Sequence, residues 1–250
     1  MSPRTSRTKW SWGGPSGSPP ARRSPSGGDG SGIDPLLPGA IALAVLYAIP
    51  YGQIPLYPLS LINTHFHEAA HALAAIATGG AVDGVVVRPD GSGVTLVRGG
   101  SAILTASAGY LGAAVWGVGL LVASARKGWA RVASIGSALL VGGLTVAEGL
   151  GSPFTLVTGL ALVGALVAIC RSRRPAPWIG FLGIAQTANA FRSVADLFGP
   201  LRDVSDAGIL AGMTGIPAPV WVVIWTAISV AASIVGLRWR ARARRAAPTP

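Results

Sequence analysis

Residues 59–78 read Leu59-Ser60-Leu61-Ile62-Asn63-Thr64-His65-Phe66-His67-Glu68-Ala69-Ala70-His71-Ala72-Leu73-Ala74-Ala75-Ile76-Ala77-Thr78, and this stretch decides the fold. It is an apolar run of the length needed to cross a hydrocarbon core roughly 30 Å thick. Its ionisable residues are crowded into one segment, His65 to His71. Placing three imidazoles and a carboxylate inside such a helix is expensive, and ionisable groups at that depth mark function.

The rest of the chain fits the same solvent. Half of its 250 residues are hydrophobic and only 12% are charged, against roughly 25% in an average soluble domain. Too few charges remain to solvate a globular surface. Further apolar runs follow the first: a short one at 36–51, then 101–125, 130–147, 153–170, 178–198 and 217–237. The expected fold is an all-α polytopic membrane protein of about six to seven transmembrane helices. Should the short run at 36–51 be re-entrant, both termini lie on one side of the membrane.

One segment breaks the helical pattern. Val82 to Arg88 is rich in valine, Pro89-Asp90-Gly91-Ser92-Gly93 is turn chemistry, and Val94 to Val97 is again β-prone. This reads as a small β-hairpin inserted directly after the motif helix. Unpaired strand edges are not tolerated in hydrocarbon, so the hairpin belongs at the interface or along an access path.

The net charge of +11 does not point to nucleic acid, because of where the cations stand. They cluster in the N-terminal tail (Arg4, Arg7, Lys9, Arg22, Arg23), between apolar runs (Arg126, Lys127, Arg131 and Arg171, Arg173, Arg174) and at the C-terminus from Arg238 to Arg245. Cationic loops between spans are a topology signal. With seven spans, the loops at 126–131 and 171–174 share a side with the C-terminus, which places that side in the cytoplasm. The single Cys170 excludes an intrachain disulfide and a cysteine-based zinc cluster. Three regions result: a disordered Pro/Gly/Ser-rich basic tail over 1–32, a membrane-embedded domain over 33–237, and a basic C-terminal tail over 238–250.

The chemistry lies in His67-Glu68-Ala69-Ala70-His71. Positions four apart on an α-helix are separated by about 40° in projection and one turn in height. His67 and His71 can therefore offer two imidazole nitrogens to one tetrahedral zinc ion. Glu68 projects near His71 as a general base for water. Ala69, Ala70 and Ala72 leave room for a partner helix. His65 points about 200° away from His67, outside that metal shell, in a supporting or interfacial role.

A catalytic zinc usually takes a third protein ligand, and the chain has only nine acids from which to draw it. Asp83 and Asp90 flank or cap the hairpin, and Glu148 marks a helix end. Asp196 is embedded in an otherwise membrane-like helix and is the favoured third ligand, against a structural ion pair with Arg192 four residues earlier. Asp206, in the polar loop after Pro200, is the reserve.

These residues resemble a known family. His67-Glu68-Ala69-Ala70-His71-Ala72-Leu73, then Thr78-Gly79-Gly80 and the turn at 89–93, is similar to the site-2 protease superfamily of membrane zinc metallopeptidases. The closer likeness is to its compact Peptidase M50B-like branch. Ser107-Ala108-Gly109-Tyr110-Leu111-Gly112 and Ser193-Val194-Ala195-Asp196-Leu197, with Ser205-Asp206-Ala207 downstream, fit that branch, and the resemblance spans roughly 59–225. It implies an integral multi-pass protein of a bacterial-type plasma membrane, cleaving membrane protein or peptide substrates within or near the lipid bilayer. By match, His67, His71 and Asp196 are the zinc ligands and Glu68 is the base. The best-known members set their aspartate in an Asn…Pro…Leu-Asp-Gly context. Here Asn189 precedes Ala-Phe-Arg, and Asp196 precedes Leu197. The rival expectation is a non-proteolytic membrane protein, a metal carrier or an inactive scaffold with the same fold. A purely structural metal site has no use for Glu68.

Overall fold

The structure, a computed structural model, describes residue 34 and residues 36–148, 152–196 and 205–246, with the backbone alone at 148 and 190–196. The expected N-terminal tail, the connection at 149–151 and Asp203 lie outside the described residues. Eight helices and a two-stranded sheet are described: α1 (Leu37–Ala48), α2 (Gln53–Ala77), β1 (Ala81–Val87), β2 (Gly93–Arg98), α3 (Ala102–Ala123), α4 (Lys127–Glu148), α5 (Pro153–Arg171), α6 (Pro175–Asp196), α7 (Asp206–Thr214) and α8 (Ala218–Arg245). Each expected apolar run is a helix. α7 falls within what the sequence reads as a polar loop.

Serines start three of these helices. Ser101, Ser152 and Ser205 each hold extended backbone and accept a hydrogen bond from the amide three residues on, satisfying an amide the first turn leaves free. Pro153 follows its cap directly, where its missing N–H costs nothing. α7 stops at Gly215, left-handed at φ 72°, the conformation that ends many helices. α8 does not stop where its apolar run does. Residues 238–245, alternating arginine with tryptophan or alanine, continue it to Arg245, since alanine and arginine both favour helix.

Four helices, α3, α4, α5 and α8, are long and apolar enough to cross a membrane. α1 and α2 meet at 111° across a four-residue break and add a fifth span only if counted as one broken or re-entrant unit. The expected six to seven spans are therefore not all accounted for. α6 is not among the four; Gln186, Thr187 and Asn189 interrupt its apolar sequence, and Gln186 is buried at 1% exposure. The outward faces of the long helices are hydrophobic: Val132 and Leu139 on α4 are each 71% exposed, and Val157 on α5 and Val223 on α8 are each 67% exposed. Apolar surface of that extent suits contact with lipid.

α3 is the hub, packing against α2, α6 and α8. α2 and α3 approach closely because both present small residues. Ala72 and Ala114 have no exposed surface, and a methyl group added at Gly112 would collide with Ala70. A larger core, with Phe66, Leu120, Leu162, Leu166 and Ile179, joins α2 and α3 to α4, α5 and α6.

The expected hairpin is present and antiparallel, pairing Val82 with Val97 and Val87 with Gly93, with an irregularity between Val82 and Gly84. Its tip is tied back to α2. The Tyr57 hydroxyl donates to the Pro89 carbonyl at 2.6 Å, and the Thr64 hydroxyl reaches the Gly91 carbonyl at 2.7 Å. Val87 N–H donates to Thr155 Oγ1 on α5 at 2.8 Å. The hairpin thus lies along the motif helix rather than standing free.

Candidate metal centre

α2 carries His67 and His71 one turn apart, with their rings edge to face and centroids 4.7 Å apart. α7 brings a third group to them. Asp206 Oδ2 lies 3.1 Å from His67 Nε2 and 3.4 Å from His71 Nε2. One ligand atom from each residue lies within 4.8 Å of the others. Asp206 Oδ2 is nevertheless buried without a hydrogen-bond partner. Two nitrogens and a carboxylate oxygen facing a common point, with that oxygen otherwise unsatisfied, is the donor set and arrangement a zinc ion takes.

A supporting contact orients one imidazole. His71 Nδ1 lies 2.6 Å from the Thr105 carbonyl oxygen on α3. A carbonyl only accepts, so Nδ1 carries a proton, and Nε2 is the nitrogen turned towards the shared point. Metal-bound histidines are commonly oriented through their other nitrogen in this way. His67 rests instead against Tyr110, ring centroids 5.2 Å apart, and Tyr110 stacks on Trp225 of α8 at 5.1 Å. Gly109 makes the approach of α3 possible. A Cβ there would fall on His67 and His71 at their Nε2 atoms.

Glu68 is buried at 4% exposure and faces the hairpin. The Thr95 hydroxyl on β2 lies 2.7 Å from Glu68 Oε2 and donates to it, leaving Oε1 to accept a proton. Gly93, the first residue of β2, permits this seat, since a Cβ there would overlap Glu68 Oε1.

The acids considered from sequence therefore separate. Asp206, the reserve candidate, is brought to both histidines. Asp196 is the last residue of α6, and its side chain, like that of Arg192, lies outside the described residues. Asp83 is bound by Arg98 Nε at 2.6 Å, and that guanidinium holds its carboxyl below the usual carboxylate range. Asp90 accepts from the Ser92 hydroxyl and amide inside the hairpin turn. His65 faces away from the cluster, its Nε2 2.9 Å from Thr158 Oγ1 on α5.

Sequence reasoning passed over Thr105, Thr95 and the pairing of Gly109 with the histidines. Nothing local distinguishes a carbonyl or hydroxyl that tertiary packing delivers. For Asp206 a signal does exist. Ser205-Asp206 ahead of Ala207, Ile209 and Leu210 has the form of a capped helix start with an acid in its first turn, and the carboxylate also suits the positive end of α7.

The Peptidase M50B-like family, which is the site-2 protease family, matches this chain over residues 39–236. Among the curated proteins and the solved structures, none matches.

Proposed function

The chain belongs to the Peptidase M50B-like family, and from that premise we propose that it is an intramembrane zinc metallopeptidase hydrolysing peptide bonds of membrane-associated substrates. The observation that carries this reading is the meeting of Asp206 with His67 and His71 beside a buried glutamate.

In this reading His67, His71 and Asp206 would hold a zinc ion, with Asp206 taking the part the sequence assigned to Asp196. A zinc ion so held would make water acidic enough to attack near neutral pH and would polarise the scissile carbonyl. Glu68 takes the water proton on Oε1 and passes it to the leaving amine. Thr95 keeps the carboxylate turned towards that task by donating to Oε2. His71, donating through Nδ1 to Thr105, keeps its other nitrogen turned towards the shared point.

The substrate has a steric requirement. A transmembrane helix has its carbonyls tied up in hydrogen bonds, so the bond to be cut must first be unwound. An unwound segment needs partners for its backbone in a region without water. In a two-stranded sheet each strand keeps one edge unpaired by strands, and the hairpin with Gly79 and Gly80 would accept an extended segment by β-addition. Its nearness to the base supports this: Glu68 and β2 already touch through Thr95. The protein would then act as a multi-pass enzyme of a bacterial-type plasma membrane, with membrane proteins or peptides as its substrates.

The test uses the purified full chain in phospholipid vesicles with a library of single-span peptides. The wild type should cleave members of the library, and Glu68→Gln should abolish cleavage while keeping its zinc. Cleavage that persists in Glu68→Gln overturns the role of the glutamate. A zinc-loaded wild type that cleaves none of the library supports the non-proteolytic alternative.

A further inference from the structure

α8 is longer than a membrane requires. Its 28 residues extend about 42 Å at 1.5 Å per residue, against a hydrocarbon core of roughly 30 Å. The surplus corresponds to the last two turns, 238–245. These turns are sorted by face. Arg240 turns inward, buried at 7% exposure, with Nε donating to Ser124 Oγ at 2.9 Å. Trp239, Arg242, Ala243 and Ala246 follow one another at helical spacing on another face.

That second face borders a cleft of about 320 Å³, completed by Val122 at the end of α3 and Trp129 in the first turn of α4. Its walls are almost wholly apolar, with Arg242 as the charged member. Trp239 is 61% exposed, a large apolar ring left mostly uncovered among the described residues. Arg126 adds a second cation beside the cleft, its guanidinium 4.7 Å from the centre of the Trp129 ring.

The end of the bundle holding this cleft is also its cationic end. α3, α5 and α8 finish there and α4 and α6 begin there. The loops at 126–131 and 171–174 together with residues 238–245 supply eleven arginines and lysines. Thr105 and Gly109, which flank the metal centre, stand 13 or more residues before Val122 on α3, which is about 20 Å along the helix. The cleft is separate from the site where peptides are cut.

We propose that this cleft is a binding site for an anionic phospholipid. The upper part of an acyl chain lies between Trp129 and Trp239, and the headgroup phosphate is held by Arg242 with Arg126 beside it. Tryptophan is suited to the headgroup boundary, with its ring in the apolar layer and its N–H towards water. Arginine matches a phosphate with a fork of donors. An apolar slot with a cationic rim at the interface rejects a free phosphate, which has nothing to place in the slot, and a zwitterionic lipid, whose ammonium group meets the same cations.

The experiment is native mass spectrometry of the full chain released from vesicles of equal phosphatidylglycerol and phosphatidylcholine. The wild type should retain phosphatidylglycerol with roughly thirtyfold preference, as expected for two interfacial cations at about 1 kcal/mol each. Arg242→Gln and Trp239→Ala should each remove most of that preference, and the pair Arg173→Gln/Arg174→Gln should leave it intact. Zinc content, unchanged in all variants, reports that they fold. Equal retention of the two lipids by the wild type overturns the proposal. So does a loss in Arg173→Gln/Arg174→Gln as large as in Arg242→Gln, because the attraction then belongs to the whole cationic end and not to the cleft.

Discussion

At the scale of single residues, the candidate metal centre depends on atoms that have little freedom to move. Gly109 admits the two imidazoles only because it lacks a side chain. Gly109→Ala should therefore lower zinc occupancy to a small fraction of wild type while the helices persist, which zinc analysis beside circular dichroism would register. Thr95 gives a different signature. Thr95→Val removes the donor to Glu68 Oε2 at nearly constant volume, and a hydrogen bond to a charged group is worth about 1.5–3 kcal/mol. Turnover should fall by roughly tenfold to a hundredfold with zinc content unchanged, and Thr95→Ser should restore most of it. Equal losses in the valine and serine variants would show that the hydroxyl is not what matters. His67, Glu68 and His71 were legible in the sequence because helical spacing alone sets their relation. Asp206 was a reserve, since its distance from α2 is fixed only by the way α7 packs, and Thr95 lies across a strand register that no local pattern reports.

At the scale of elements, the hairpin is held more firmly at its tip and inner face than at its open end. Thr64, Tyr57 and Thr155 bind its backbone, while Asp83 and Arg98 form an exposed pair where the two strands begin and end. The Asp83 carboxyl is shifted down by Arg98, so the pair supports the hairpin at pH values above the ordinary aspartate pKa of about 3.9. That support is lost as the pH falls through the lowered value. Surface pairs contribute little and are screened by salt. Amide protection near residues 81–84 and 96–98, taken relative to the intrinsic exchange rate at each pH, should therefore fall only in that acidic range, and Asp83→Asn should remove the dependence. Protection that instead falls between pH 6 and 8 would contradict this assignment. The hairpin was readable from valine runs and a Pro-Asp-Gly turn. α7 was not taken as a helix because it is only nine residues long, too short for apolar periodicity to outweigh the polar residues before it.

At the scale of the whole molecule, the apolar runs were legible, but the number that cross the membrane was not. Hydropathy identifies a helix of sufficient length, whereas the bend between α1 and α2 arises from tertiary packing and a corner at Tyr51, which holds a positive φ of 62°. α6 shows the same limit from the other side. Its polar residues are admitted because they face protein, with Gln186 and Asn189 both buried. For one zinc ion to be held by His67, His71 and Asp206, two helices far apart in sequence, α2 and α7, must meet. Zinc-edge X-ray absorption on the purified protein tests this most directly. It should report two imidazole nitrogens and a carboxylate oxygen at about 2.0–2.2 Å, with the carboxylate lost in Asp206→Ala and retained in Asp196→Ala. A shell that survives Asp206→Ala unchanged, or a wild type that purifies without zinc and takes none up, would contradict it.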